Sequence, residues 1–254
     1  MDVVAIIQAR LGSTRLPGKT MYPLDTQPVV SHVIDRTLSS SILDRIVLAT
    51  SSLGHDDLLA NQGLDAGVTV SRGSESDVLK RTYIAASEAD ADIVVRVCAD
   101  NPLISPDCIT VAAETVLNQD IDYAGYAIKE RTLPLGITAE AFTMASYEVL
   151  ESRTESEYER EHVTIGYKED PSTYSVRHLN AADTFDEAGL FRRPQLRLTL
   201  DTPPDYELLR RVYANVSART GRTLDLRDAI KFIDTHGLET LNTAVEQQSP
   251  TNDE

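Results

Sequence analysis

Three cations stand close together near the amino terminus: Arg10, Arg15 and Lys19, in the run Gln8-Ala9-Arg10-Leu11-Gly12-Ser13-Thr14-Arg15-Leu16-Pro17-Gly18-Lys19. The run follows directly on the apolar segment Val3–Ile7, which reads as a buried strand. Cations and glycine-freed backbone N–H groups at a strand's end can surround the oxygens of a polyphosphate. A strand, a turn and a solvated basic face is the plainer account. The charge balance weighs against it, because 40 acidic residues oppose 24 basic ones and the chain carries a net charge of -16. A basic cluster there runs against the trend of the whole molecule.

Two familiar phosphate loops do not fit this segment. The P-loop spacing is missed by one residue, since five positions lie between Gly12 and Gly18-Lys19-Thr20, and Pro17 stiffens the turn. The three spaced glycines of a dinucleotide fold are absent. A second site of possible chemistry is Asp100, in Val95-Arg96-Val97-Cys98-Ala99-Asp100-Asn101-Pro102-Leu103. A carboxylate ending a buried strand, fixed by a following proline, can hold a hard divalent cation against phosphate oxygens. A lone Asp there can equally serve a turn. Asp201, in Thr199-Leu200-Asp201-Thr202-Pro203-Pro204-Asp205, ends an apolar run ahead of a good helix start. Arg72-Gly73-Ser74-Glu75-Ser76-Asp77 precedes a helical pattern, where a serine N-cap and a solvated face with Lys80 and Arg81 suffice as an account.

The elements that must position these groups alternate. Strands are expected over Val3–Ile7, Arg45–Thr50, Val68–Val70 and Ile93–Val97, with helices over Val29–Leu38, Asp56–Gln62, Ser76–Ser87 and Pro106–Asn118. Apolar β-branched runs between amphipathic helices predict an α/β fold, a mostly parallel sheet with helices on both faces. Ligands of such sheets lie beyond the carboxyl ends of the strands, where the Arg10–Lys19 loop and the Ala99–Pro102 segment both fall. From Ile121 to Asn180 the pattern loosens and tyrosines are scattered through short apolar runs. This stretch is expected to be a small inserted lobe over the substrate, its aromatic surface contacting a second subunit. The alternation returns with a strand at Leu196–Leu200 and helices near Asp205–Ala218 and Leu226–Thr235. One domain over residues 1–240 is expected, followed by a polar, disordered tail over 241–254.

These motifs, taken in order, resemble those of the sugar-nucleotide cytidylyltransferases, above all the spore-coat-polysaccharide type, with the acylneuraminate and 3-deoxy-manno-octulosonate enzymes as relatives. The resemblance implies a glycosyltransferase-A-type, Rossmann-like sheet. It implies a reaction in which CTP and an acidic sugar give a CMP-sugar and pyrophosphate. By the same resemblance Gln8, Ala9, Arg10, Gly12, Ser13, Arg15 and Lys19 surround the nucleotide, together with Arg72, Gly73 and Ser74. Arg10, Arg15, Lys19 and Asp100 take the catalytic roles, and Asp100 and Asp201 bind Mg2+ as cofactor. Gly136-Ile137-Thr138-Ala139-Glu140-Ala141-Phe142 is similar to the family's sugar segment and makes Glu140 a sugar contact. Arg160-Glu161-His162-Val163 is similar to another, leaving His162 as a core residue, a sugar contact or a subunit contact. The family is commonly dimeric, so a homodimer pairing through residues 121–180 is expected, with Arg160 or His162 lent to the neighbouring site.

Composition bounds the alternatives. The acidic surface should repel nucleic acid rather than bind it. Nothing reads as a leader or a membrane span, which together with two cysteines lacking metal-site spacing predicts a cytoplasmic protein. Abundant Asp with lysine only at 19, 80, 129, 168 and 231 suits a solvent of high ionic strength. Two competing functions are a glycosyltransferase on the same sheet and a non-catalytic nucleotide-binding protein. The first needs an Asp-x-Asp motif, and Pro102 stands where its second Asp belongs. The second predicts loss of the cation loop or of an Asp, and all are present.

Overall fold

Alternation along the first strand decides the layering. In the computed structural model, which describes residues 1–127, 130–216 and 223–245, strand β1 spans Val3–Gln8. Val3, Ala5 and Ile7 pack into one apolar cluster, and Val4 and Ile6 pack into another. Successive side chains of a strand point to opposite faces, so a strand that is apolar at every position must be covered twice. Helices α1 (Val29–Leu38), α4 (Pro106–Asn118), α10 (Pro203–Val216) and α11 (Leu226–His236) supply buried residues to the first cluster. Helices α3 (Val78–Glu88) and α5 (Met144–Arg153) supply the second.

β2 (Pro23–Leu24) and β3 (Gln27–Pro28) form a separate two-stranded ribbon. The main sheet has seven strands in the order β5-β4-β1-β6-β8-β7-β9. Here β4 is Arg45–Ser51, β5 Thr69–Gly73, β6 Ile93–Cys98, β7 Tyr123–Gly125, β8 Glu140–Thr143 and β9 Val176–His178. β5, β4, β1 and β6 are parallel, β8 runs antiparallel to both β6 and β7, and β9 is parallel to β7. The carboxyl ends of β1 and β6 therefore lie side by side, Gln8 opposite Cys98. The expected α/β architecture is present, and the stretch 121–180 contributes β7, β8 and β9 to the same sheet.

Several expectations are corrected. Leu196–Leu200 forms no strand; it makes one parallel bridge, Leu135 to Arg197. Its neighbour is the irregular turn at Gly136, whose φ of 98° and close approach to Thr199 interrupt the ladder. A Cβ on Gly136 would stand 2.5 Å from the Thr199 nitrogen, so only glycine fits. The apolar alternation came from packing, with Leu196, Leu198 and Leu200 all buried.

Nor, among the described residues, does 121–180 carry the expected aromatic surface: of its six tyrosines only Tyr158 is half-exposed. Tyr123, Tyr126, Tyr147, Tyr167 and Tyr174 are buried, and Tyr123, Tyr147, Tyr167 and Tyr174 stack with Phe142 into a second core. Arg160 pairs with Asp77 at 2.9 Å and with Glu151 at 3.0 Å in its own chain. His162 closes the short helix α6 (Glu157–His162), exposed to solvent, which excludes the core reading.

Smaller shifts are matters of boundary. The helix read as Asp56–Gln62 is α2, Asp57–Asp65, and Asp77 rather than Ser76 caps α3, accepting from the Lys80 nitrogen at 2.9 Å. The tail expected to be disordered over 241–254 is ordered at its start, where Asn242 is buried and hydrogen-bonded; Ala218 and residues 246–254 lie outside the described residues. Among the described residues no helix is long and apolar enough to cross a membrane.

Candidate active site

The loop leaving β1 is tied down before it presents its cations. The Leu11 N–H donates to Asp56 Oδ1 at 2.8 Å, and Asp56, wholly buried, also accepts from the Ser51 hydroxyl. The Gly18 N–H returns to the Leu11 carbonyl at 3.0 Å, closing the loop. Gly18 adopts φ 71°, a left-handed turn that an L side chain resists, and a 3₁₀ turn at Lys19–Met21 follows. The effect is to deliver Lys19 to the mouth of β6.

There Lys19 Nζ lies 2.5 Å from Asp100 Oδ2 and 2.8 Å from Asp201 Oδ1. Two carboxylates a hundred positions apart thus converge on one ammonium. The Leu200 N–H to the Asp100 carbonyl, 2.8 Å, holds the two segments together. Arg15 reaches the same Asp201 oxygen at 3.0 Å, and Arg197 takes the other at 3.2 Å. Burial alone would lower the Lys19 ammonium, but Asp100 and Asp201 outweigh it and raise its pKa. Burial likewise pushes the Asp201 carboxyl up, and Lys19, Arg15 and Arg197 together pull it below its usual value. Lys19 and Asp201 keep 11% and 15% of their side chains exposed, so the cluster is recessed yet open to a ligand.

Two carboxylate oxygens within 3 Å of one point, already occupied by a positive charge, suit a hard divalent cation. Among the described residues no set of three or more His, Cys, Asp or Glu gathers to hold a metal. The donor set therefore matches an ion that completes its shell with water and phosphate oxygens, as magnesium does.

The other expected residues divide. Arg10 lies beside the loop but faces Glu161 Oε1 at 2.5 Å and the Glu75 carbonyl at 3.4 Å. Gly12 approaches Glu75 closely, and Ser13 turns back on Leu11. Ala9 and Gln8 hydrogen-bond into the neighbouring strands β4 and β6. Arg72 spends its guanidinium on Asp57 and on the Ser51 and Leu53 carbonyls, at 2.5–2.9 Å, pinning the turn after β4. Gly73 receives the Ser52 N–H, and the Ser74 hydroxyl accepts from the Asp77 N–H at 3.1 Å.

Glu140 sits in a second charge cluster. It stands directly opposite Arg96 across β8 and β6, and its oxygens accept from Arg96 (2.7 Å), Lys168 (2.8 Å), Tyr123 (2.5 Å) and Thr164 (3.0 Å). Burial would raise this carboxyl, yet Lys168 and Arg96 hold it far below the carboxylate range. Arg96 also donates to Gln8 Oε1 at 2.8 Å, so the cluster extends to the base of the cation loop. His162 lies nearby on α6, its ring 4.4 Å from that of Tyr158.

Sequence reasoning missed several positioning groups. Asp56 anchors the cation loop. Arg81, read as a solvated face, is buried and donates to the Ser74 and Glu75 carbonyls, which fixes the loop after β5. Burial lowers the Arg81 guanidinium to about 10. Arg197, Asp205 and Asn242 brace Asp201 from below. The helix-start pattern at Thr202–Asp205 was the one visible signal.

Residues 4–229 match the cytidylyltransferase family. The spore coat polysaccharide biosynthesis protein SpsF of Bacillus subtilis is 35% identical over 225 residues, 86% of this chain and 89% of its own. A cytidylyltransferase structure from Leptospira borgpetersenii superposes with a TM-score of 0.85 at 28% identity, covering 97% of this chain and all of its own. The structure of a CMP:2-keto-3-deoxy-manno-octonic acid synthetase complexed with CTP shares the fold, with a TM-score of 0.64 at 17% identity over 84% of this chain and 99% of its own. A family match spanning the β1 loop, Asp100 and Asp201 alike places this chain among the cytidylyltransferases.

Proposed function

We propose that the protein transfers CMP from CTP to an acidic sugar, releasing pyrophosphate, for the synthesis of a surface polysaccharide or glycan. The observation that carries this reading is the convergence of Lys19, Arg15, Asp100 and Asp201 at the carboxyl ends of β1 and β6. SpsF supports the polysaccharide destination, and the synthetase holding CTP supports the nucleotide and the sugar-acid class. The two free cysteines, Cys98 and Cys108, accord with a cytoplasmic setting.

The chemistry is an in-line displacement in which a sugar hydroxyl attacks the α-phosphorus, its proton passes to solvent, and the bond from the α-phosphorus to the bridging oxygen breaks so that pyrophosphate leaves. Magnesium, held by Asp100 and Asp201, would supply charge neutralisation at the phosphates. Arg10, Arg15 and Lys19 turn from their carboxylate partners to the β- and γ-phosphate oxygens, where charge grows as pyrophosphate leaves. The loop backbone from Gln8 to Ser13 and the Arg72–Ser74 turn enclose the nucleoside. His162 faces the sugar, and Glu140 serves that side by holding Arg96 and Lys168, which keep their bonds to its oxygens.

A pyrophosphate-release assay with each NTP, a panel of sugar acids and neutral sugars, and Mg2+ or Mn2+ tests the reading. CTP- and divalent-dependent release with a sugar acid is expected. Release with neutral sugars alone would overturn the acid, and release with another NTP alone would overturn CTP.

A further inference from the structure

We propose that Asp205, Arg197 and Asn242 form a bracket that aims Asp201, and that the chain beyond the matched family domain is thereby a working part of the site. The proposal rests on the reading of Asp201 as a metal-binding carboxylate. Asp205 is completely buried in the first turn of α10. Its Oδ2 accepts from the Asp201 N–H (3.1 Å), the Thr202 N–H (3.0 Å) and the Thr202 hydroxyl (2.8 Å). Those contacts alone describe a helix cap.

The cap does not account for the other oxygen. Oδ1 accepts from Arg197 Nε at 3.3 Å and from Asn242 Nδ2 at 2.8 Å, groups brought in from two other segments. Asn242 Nδ2 also donates to the Arg197 carbonyl at 3.1 Å, and its side chain is buried. Arg197 Nη2 then spans from Asp205 Oδ2, at 3.4 Å, to Asp201 Oδ2, at 3.2 Å.

The consequence lies in which Asp201 oxygen is free. A carboxylate turns readily about its last torsion and its two oxygens are equivalent. Arg197 breaks the equivalence by taking Oδ2, so Oδ1 is the one presented to Lys19 and Arg15. Arg197 can do this only while Asp205 holds its guanidinium, and Asn242 completes that grip. Asn242 lies past residue 229, where the family match ends. Groups that orient a metal-binding carboxylate from behind change metal affinity or activity by about 10- to 100-fold when removed.

The test measures Mn2+ binding to the full-length protein by electron paramagnetic resonance, with a non-hydrolysable CTP analogue present, alongside melting curves and steady-state kinetics. Asn242→Ala is expected to weaken Mn2+ about tenfold and Arg197→Met closer to a hundredfold. In both, kcat should fall while the KM for the sugar stays within about twofold. Folded variants whose Mn2+ affinity is within about twofold of wild type would overturn the bracket. Loss of the fold in both variants would assign these residues to stability alone and overturn it as well. Asp201→Asn separates the two failures: if it also binds Mn2+ normally, the reading of Asp201 itself is at fault.

Discussion

Lys19 and Glu140 each sit at the centre of a charge cluster, one ammonium between carboxylates and one carboxylate among cations. Around Lys19 the partners come from loops, Asp100 just past β6 and Asp201 just before α10. Around Glu140 the pairing is built into the sheet register, Arg96 facing Glu140 across β6 and β8. An acidic oxygen has room for about two donors, and both oxygens of Glu140 are filled by this chain. Asp100 and Asp201 share one ammonium, Asp201 also pairs with Arg15 and Arg197, and the loop-borne Lys19 and Arg15 can leave them to make room for another cation. Identical side-chain chemistry thus yields a cluster able to change partners and one that locks the sheet edge to the segment covering it.

The contrast is broken most strongly at the carboxylates of the first cluster. Asp100→Asn and Asp201→Asn should each lower kcat by about a hundredfold or more with the melting temperature little changed. A loss of fold without a specific loss of rate would make that cluster as structural as the second.

Glu140→Gln should show the opposite pattern, a loss of about 3 kcal/mol in urea denaturation, because Arg96 and Lys168 lose their shared countercharge. The pH dependence follows from the depressed carboxyl. A folded pKa below the unfolded one stabilises above the unfolded value, and the contribution is lost as pH falls toward the folded one. Wild-type stability should therefore decline below about pH 4.5, and the variant should decline less steeply.

Arg15→Ala and Lys19→Ala should raise the KM for the nucleotide and lower kcat, together by about tenfold, since each removes one charge-assisted contact. A change confined to the sugar's KM would put the loop against the wrong substrate. The smallest effect is expected at Glu161→Gln. Its pair with Arg10 is substantially exposed, so stability should move by less than about 1 kcal/mol.

The sequence was most legible where one period governed many residues. Val29–Leu38 and Pro106–Asn118 form helices over the expected spans, the latter capped by Ser105. It misled where an apolar alternation arose without a ladder, at Leu196–Leu200, and where tyrosines were read as surface. Position along the chain does not reveal whether a ring faces solvent or a second helix layer. Arg10, Arg15, Lys19, Asp100 and Asp201 were each visible as candidates. That Lys19 stands between both carboxylates was not, because the contact spans 81 and 182 positions. Asn242 left no trace at all: an asparagine near a polar end says nothing until the turn after α11 carries it back to Asp205.

The pairing of every loop cation with an acid bears on how a triphosphate arrives. Arg10 faces Glu161, Arg15 faces Asp201 and Lys19 faces Asp100, in a molecule of net charge -16. Seen from beyond a screening length of about 10 Å at 0.1 M salt, such a loop is no beacon, and the approaching anion meets net repulsion. Capture is then an exchange at contact, in which phosphate oxygens replace carboxylates one at a time. The encounter rate should accordingly rise with ionic strength, the reverse of the salt dependence shown by proteins that draw polyanions in from a distance.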